Sequence, residues 1–93
     1  MATVKVRIPT PLQKLTGNKG EVEGEGLDIK DMFDNLEKKF PGFKERIYDE
    51  EGALRRFINI YVNEEDIRFL DGEKTALNDG DDISVIPAIA GGR

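Results

Sequence analysis

Apolar and polar residues alternate in three stretches of the chain, and this period of two predicts β-strands. The stretches are Thr3–Ile8, Phe57–Val62 and Ile83–Ile86. The positions expected to face the core in the first two are Val4, Val6, Ile8, Ile58, Ile60 and Val62. Pro87 cannot donate a ladder hydrogen bond, so strand pairing is expected to end there.

A period of three to four residues replaces the alternation after residue 28 and predicts one amphipathic helix. Its apolar stripe consists of Ile29, Met32, Phe33, Leu36 and Phe40. Asp28 suits the N-cap position, and Leu27 with Met32 predicts a hydrophobic staple. Pro41 and Gly42 predict that the helix ends near Phe40, after about twelve residues.

The remaining segments predict short elements. Glu21–Glu23 is expected to form a short edge strand that ends at Gly24–Gly26, and Asp66–Leu70 follows a turn as another short segment. Thr10–Lys19 predicts a single helical turn, and Phe43–Gly52 an irregular or single-turn helix. This order predicts an α+β fold in which a mixed sheet of four to five strands packs on one main helix.

The composition narrows the classes of function. With 93 residues, 38% hydrophobic and 35% charged, the chain fits one domain and has no apolar run of the ~20 residues that span a membrane. It has no cysteine and no histidine, which removes the thiolate nucleophile and the usual general base. A net charge of −5 disfavours binding to nucleic acid. Because no secretory signal begins the sequence, the expected location is the cytoplasm.

Three acidic runs could in principle hold a hard cation. They are Asp49–Glu51, Glu64–Asp66 and Asp79–Asp82. None has the spacing of a calcium-binding loop, so they are interpreted as solvated turns and no metal site is predicted.

The segment after the last predicted strand contributes little to packing. Residues 1–87 are therefore expected to form the domain, and residues 88–93 a flexible C-terminal tail. Without side chains, Gly91 and Gly92 could pass through a channel too narrow for a Cβ atom and bring a carboxylate to a buried reaction centre. The alternative interpretation is a frayed end without function.

The order of elements, the Asp79–Asp81 turn and the terminal Gly91-Gly92 together resemble the ubiquitin-like sulfur carriers, which have the β-grasp fold. This family includes the small subunit of molybdopterin synthase, the thiamine sulfur carrier and the carrier that feeds a cysteine synthase. Ile8–Thr10, Leu15–Gly17 and above all the run Arg56–Phe69 are most similar to the cysteine-biosynthesis carrier.

The resemblance implies a carrier protein, not an enzyme, with Gly92 as the thiocarboxylate site and Gly91 beside it. A ubiquitin-activating-like enzyme would use ATP to adenylate the glycine, and sulfide would then form the thiocarboxylate. A sulfur-accepting, cysteine synthase-like enzyme would take the sulfur, and the chain itself would bind no cofactor. A molybdopterin synthase subunit, a protein modifier and a binding module remain alternatives.

The residues implied to bind these partners lie on the outer sheet face and in the tail. They are Arg7, Phe57, Tyr61, Ile86, Ile89 and Ala90. Aromatic, aliphatic and arginine anchors commonly carry binding energy, although a partly covered sheet face is the alternative.

Arg93 departs from the usual terminus of the family, because it locks the Gly92 carboxyl in an amide bond. We therefore expect a precursor from which a zinc metallopeptidase removes Arg93. The alternative is an arginine left by cloning or tolerated at the chain end.

Overall fold

The computed structural model describes residues 2–56 and 58–87. Its strands, numbered in chain order, are β1 (Ala2–Arg7), β2 (Glu21–Gly26), β3 (Ile58–Val62), β4 (Glu65–Asp66) and β5 (Asp82–Pro87). The α-helices are α1 (Ile29–Lys39) and α2 (Phe43–Ile47), and 3-10 helices span Thr10–Thr16, Ile67–Phe69 and Gly72–Lys74. Within this described part, no helix has the length and apolarity needed to cross a membrane.

The strands form one mixed sheet in the order β2-β1-β5-β3-β4. The central pair, β1 and β5, is parallel, and the other neighbouring pairs are antiparallel. Five strands and one main helix confirm the predicted α+β architecture, and β2 lies at the edge as expected.

The core lies between α1 and the inner face of the sheet, which confirms the predicted inward positions. The fully or nearly buried strand residues are Val4, Val6, Val22, Ile60, Val62, Ile83 and Val85, and those of α1 are Ile29, Met32, Phe33 and Leu36. The predicted inward residue Ile58 is partly buried against this core. At its centre, the ring of Phe33 stacks on Phe43 at 6.2 Å between centroids. Tyr48 contacts the same ring edge-on at 6.1 Å.

The start of α1 is held by two carboxylates. Asp28 is the N-cap, as predicted, and its side chain accepts a hydrogen bond from the backbone N–H of Asp31 at 2.8 Å. The predicted staple is wrong, because the Leu27 side chain is 66% exposed while Met32 is fully buried. The carboxylate of Asp31 instead accepts from the backbone N–H of Leu27, so a polar contact fixes the entry of the chain.

Strand β2 is longer than predicted, because it continues through Gly24 and Gly26 instead of ending at them. Both glycines are buried under Met32 of α1. A Cβ atom on Gly24 would lie 3.2 Å from the Met32 side chain, and one on Gly26 only 2.5 Å from the Met32 backbone nitrogen. The two glycines therefore allow the helix to approach the strand closely.

The segment after α1 folds as the short helix α2, one of the two forms predicted for it. The Glu37 carboxylate accepts hydrogen bonds from the backbone N–H groups of Gly42 at 3.0 Å and Lys44 at 2.8 Å. These two bonds lower the pKa of Glu37. Glu37 thus links the end of α1 to the start of α2.

The sheet is completed by a tight hairpin and by the last strand. Asn63 and Glu64, both with positive φ, connect β3 to a strand β4 of only two residues, and the rest of the predicted segment forms a 3-10 helix. In β5, Pro87 pairs with Ile58 and is the last residue that the structure describes, so the predicted end of pairing lies at the border of the described residues.

Candidate functional site

Three of the predicted docking residues lie within the described region. They are on the outer face of the sheet, one on each of the strands β1, β3 and β5. Arg7 of β1 and Tyr61 of β3 both pair with Ser84 of β5, so they flank this serine on either side. Ile86 lies two residues further along β5, opposite Asn59. Because residues two apart share a face, the three predicted side chains form one surface patch.

The three side chains differ in how much of them a partner could reach. Ile86 is 46% exposed, which is high for an aliphatic residue on a central strand, and Tyr61 is half-buried. Arg7 is largely exposed, and its Nη2 lies 3.5 Å from Oδ2 of Asp82. An apolar side chain with a tyrosine and an arginine nearby has the composition of a protein-binding surface.

A further arginine lies at the border of this patch and was not predicted. The guanidinium of Arg68 donates to Asp66 through Nε and Nη2, and Nη2 also donates to Oδ1 of Asn59 at 2.8 Å. The hydrogen bonds from Arg68 lower the pKa of Asp66, whose side chain is only 7% exposed. The sequence signal that could have indicated it is the Asp-x-Arg spacing beside a strand.

The other predicted site residues lie outside the described residues. They are Phe57, Ile89, Ala90, Gly91, Gly92 and Arg93. Phe57 directly precedes β3, and residues 88–93 follow Pro87, the last described residue of β5, which lies between β1 and β3 in the sheet.

Carboxylates of two of the acidic runs accept backbone hydrogen bonds within their turns and, in one case, from strand β1. Oδ1 of Asp49 accepts from the N–H groups of Glu51 and Ala53, and Asp79 accepts from the N–H of Thr3. Oδ2 of Asp81 accepts from Asn78. Across residues 2–56 and 58–87, no three carboxylates are grouped in a way that could hold a metal ion.

Residues 6–92 match the model of the ThiS family. The chain belongs to the ThiS family. This match begins within β1 and extends to Gly92.

Relatives of this ThiS-family chain include the sulfur carrier protein CysO of Mycobacterium tuberculosis, which is 44% identical over 91 residues. That alignment covers 96% of this chain and 98% of CysO. The small archaeal modifier protein 3 of Haloferax volcanii is 38% identical over 64 residues, covering 69% of this chain and 68% of the modifier.

Among solved structures, a chain in the Amycolatopsis orientalis BexX/CysO complex superposes with a TM-score of 0.89 at 44% identity. The superposition covers 96% of this ThiS-family chain and 99% of the other. Together with the five-stranded sheet and single main helix, it confirms the β-grasp fold.

Proposed function

We propose that this chain is a sulfur carrier whose Gly92 is converted to a C-terminal thiocarboxylate that supplies sulfur for biosynthesis, of cysteine in the first instance. The observation that carries the proposal is the near-full-length similarity to the sulfur carrier CysO at 44% identity. The fold supports it, because the central strand β5 carries Ile86 on its outer face and then leads into the Gly91-Gly92 segment.

The proposed chemistry takes place at the carboxyl carbon of Gly92. A carboxylate is a poor electrophile, so a partner enzyme of the ubiquitin-activating type would first join it to AMP from ATP, releasing pyrophosphate. Sulfide from a donor then attacks the acyl carbon, a C–S bond forms, and the bond to AMP breaks. The resulting thiocarboxylate sulfur is a stronger nucleophile than oxygen and can attack an activated carbon held by a second enzyme.

In this proposal the partners supply the catalytic groups and the chain supplies a recognised surface. The absence of histidine and cysteine from the sequence agrees with a carrier acting as a co-substrate. CysO of A. orientalis is found in complex with BexX, which supports partner binding by this type of chain. ATP is used by the activating partner, and we assign the whole reaction to the cytoplasm.

Intact-mass spectrometry tests the function directly. The purified chain is incubated with extract of its own organism, ATP and sulfide, and a chain lacking Gly92 and Arg93 serves as control. Loss of Arg93 together with exchange of one oxygen for sulfur in the full chain, and no such exchange in the control, is the expected result. A mass that stays unchanged in both would contradict the carrier function and favour a binding module with an inert tail.

The second candidate function is protein modification, in which Gly92 is attached to lysine side chains. The similarity to the small archaeal modifier protein 3 favours this function. The structure of the small archaeal modifier protein 1 of Methanosarcina acetivorans supports it too, with a TM-score of 0.84 and 35% identity over 99% of this chain and 98% of the other. Conjugates of higher mass in the same incubation would support this function over sulfur transfer alone.

The outer patch gives the first prediction. Replacing Ile86 with Asp is expected to weaken binding to the activating enzyme by about tenfold or more, because a charge would enter the apolar centre of the interface. The fold should persist, since Ile86 is 46% exposed. Binding is measured by isothermal titration calorimetry, and folding by circular dichroism.

Leu27→Asp is the matched control, because Leu27 is another exposed aliphatic residue and is 66% accessible at the start of α1. Its affinity for the activating enzyme should equal that of the unchanged chain. Equal loss of affinity in both variants would show that the effect is one of charge and not of position.

We further propose that Arg93 must be removed before Gly92 can react. Gly92 is bonded to the nitrogen of Arg93, so its carboxyl group is not free to be adenylated. A zinc metallopeptidase is suited to this cleavage, because zinc-bound water can hydrolyse a Gly-Arg bond without any group from the substrate.

The second prediction follows from this precursor state. A chain without Arg93 is expected to give pyrophosphate release with the purified activating enzyme and ATP, while the full chain gives none until the peptidase is added. The release of pyrophosphate is measured by a coupled assay. Comparable release from both chains without peptidase would contradict a requirement for processing.

A further inference from the structure

Strand β2 has one edge paired to β1 and one edge that no other strand occupies in the described part of the chain. The N–H of Ile8 donates to the carbonyl of Gly20, which fixes the phase of the antiparallel ladder. In that phase the backbone groups of Val22, Gly24 and Gly26 face β1. Those of Glu21, Glu23 and Glu25 therefore point away from the sheet.

One group along this edge already has a partner. The side-chain Nδ2 of Asn35 on α1 donates to the carbonyl of Glu25 at 2.7 Å. This contact occupies the Gly26 end of the edge. The N–H and C=O groups of Glu21 and Glu23 are the ones that remain for an added strand.

The side chains beside this edge define a charge pattern. Glu21, Glu23 and Glu25 are all exposed and lie on the outer face at every second position. Arg7, which is the cross-strand partner of Glu21, forms its ion pair with Asp82 of β5. Within the described residues, none of the three glutamates has a basic nitrogen within 4.0 Å.

On the inner face, a groove runs between the same strand and α1. It has a volume of about 210 Å³ and is lined by Gly24, Glu25, Asn35, Leu36, Lys38 and Lys39. Its floor of Gly24 and Leu36 suits small apolar side chains that point inward from a neighbouring strand.

We propose that β2 binds an extended segment of another protein by strand addition, and that this segment alternates basic residues with small apolar ones. Its backbone would pair with Glu21 and Glu23, its lysine or arginine side chains would face the glutamates, and its apolar side chains would enter the groove. A second copy of the chain does not fit, because pairing β2 with β2 would bring two rows of glutamates together in a protein of net charge −5.

Two synthetic peptides test the inference on the full chain. The probe is a blocked heptapeptide of alternating lysine and valine, and the matched peptide has glutamate at every lysine position. In ¹⁵N-resolved NMR, the lysine peptide is expected to shift the amide signals of Glu21 and Glu23 and to slow their hydrogen exchange. The affinity of the glutamate peptide should be lower by about tenfold or more. Equal binding of both, or shifts confined to other surfaces, would overturn the inference.

A variant separates backbone pairing from charge attraction. Glu23→Pro removes an N–H that points away from β1, so the β1–β2 ladder should persist while peptide affinity falls by about tenfold or more. Glu23→Gln keeps the N–H and should lose less. If the proline variant does not fold, the lysine peptide methylated on its pairing backbone nitrogens gives the same test. Undiminished binding of that peptide, or a β2-mediated dimer without peptide, would overturn strand addition.

Discussion

Replacing Phe33 with alanine is expected to lower the free energy of unfolding by about 3–5 kcal/mol. Phe33 is 0% exposed and is one of the largest side chains buried under the sheet. Its ring contacts Phe43 of α2 and Tyr48, so its loss would leave a cavity where α1, α2 and the following segment meet. Urea denaturation followed by far-ultraviolet circular dichroism measures the change.

Phe69→Ala is the matched control, because it removes the same atoms from a side chain that is 85% exposed. It should change the free energy of unfolding by about 0.5 kcal/mol or less. Similar destabilisation by the two variants would contradict the assignment of α1 to the inner face of the sheet.

Replacing Gly26 with alanine is expected to destabilise the fold by about 3 kcal/mol, at the upper end of what overpacking usually does. The new Cβ atom would lie 2.5 Å from the nitrogen and 2.7 Å from the Cα atom of Met32. Both atoms belong to the backbone of α1, so a rotamer change cannot relieve the contact and the helix would have to move away from β2. The same urea titration measures the loss.

Gly20→Ala serves as its control at the other end of the strand. Gly20 has no positive φ, and a Cβ atom added there would lie 3.3 Å from Nε2 of the flexible Gln13 side chain. We expect a change within about 0.5 kcal/mol. If Gly26→Ala were equally mild, the close approach of α1 to β2 would be wrong.

The two glycines of β2 show why part of the fold could not be predicted. Glycine terminates strands at turns and also occurs where another backbone comes close, and the local sequence is the same in both cases. Only the contact with Met32 distinguishes them. By contrast, the strand faces and the stripe of α1 follow from periods of two and 3.6 residues, which the chain shows directly.

Some features of the candidate site could likewise be predicted from the sequence, and others could not. The outward orientation of Arg7, Tyr61 and Ile86 could be predicted, since it depends only on the alternation along each strand. The Asp-x-Arg spacing could indicate that Arg68 pairs with Asp66, but its contact with Asn59 could not be predicted, because it depends on how the 3-10 helix turns the chain back. The roles of Gly92 and Arg93 stay predictions, since they lie beyond the described residues.

The placement of β5 between β1 and β3 also determines when the sheet can assemble. Lys5 pairs with Asp82, so the parallel contact at the centre joins residues near opposite ends of the sequence. Without β5, the β1–β2 pair and the β3–β4 pair share no strand contact. Such non-local pairing slows folding, because nearly the whole chain must be ordered before the central contact forms. During synthesis the β1–β2 and β3–β4 pairs therefore cannot join into one sheet until β5 has been made. A chain that ends before β5 lacks both the complete sheet and the strand that leads to the terminal glycines.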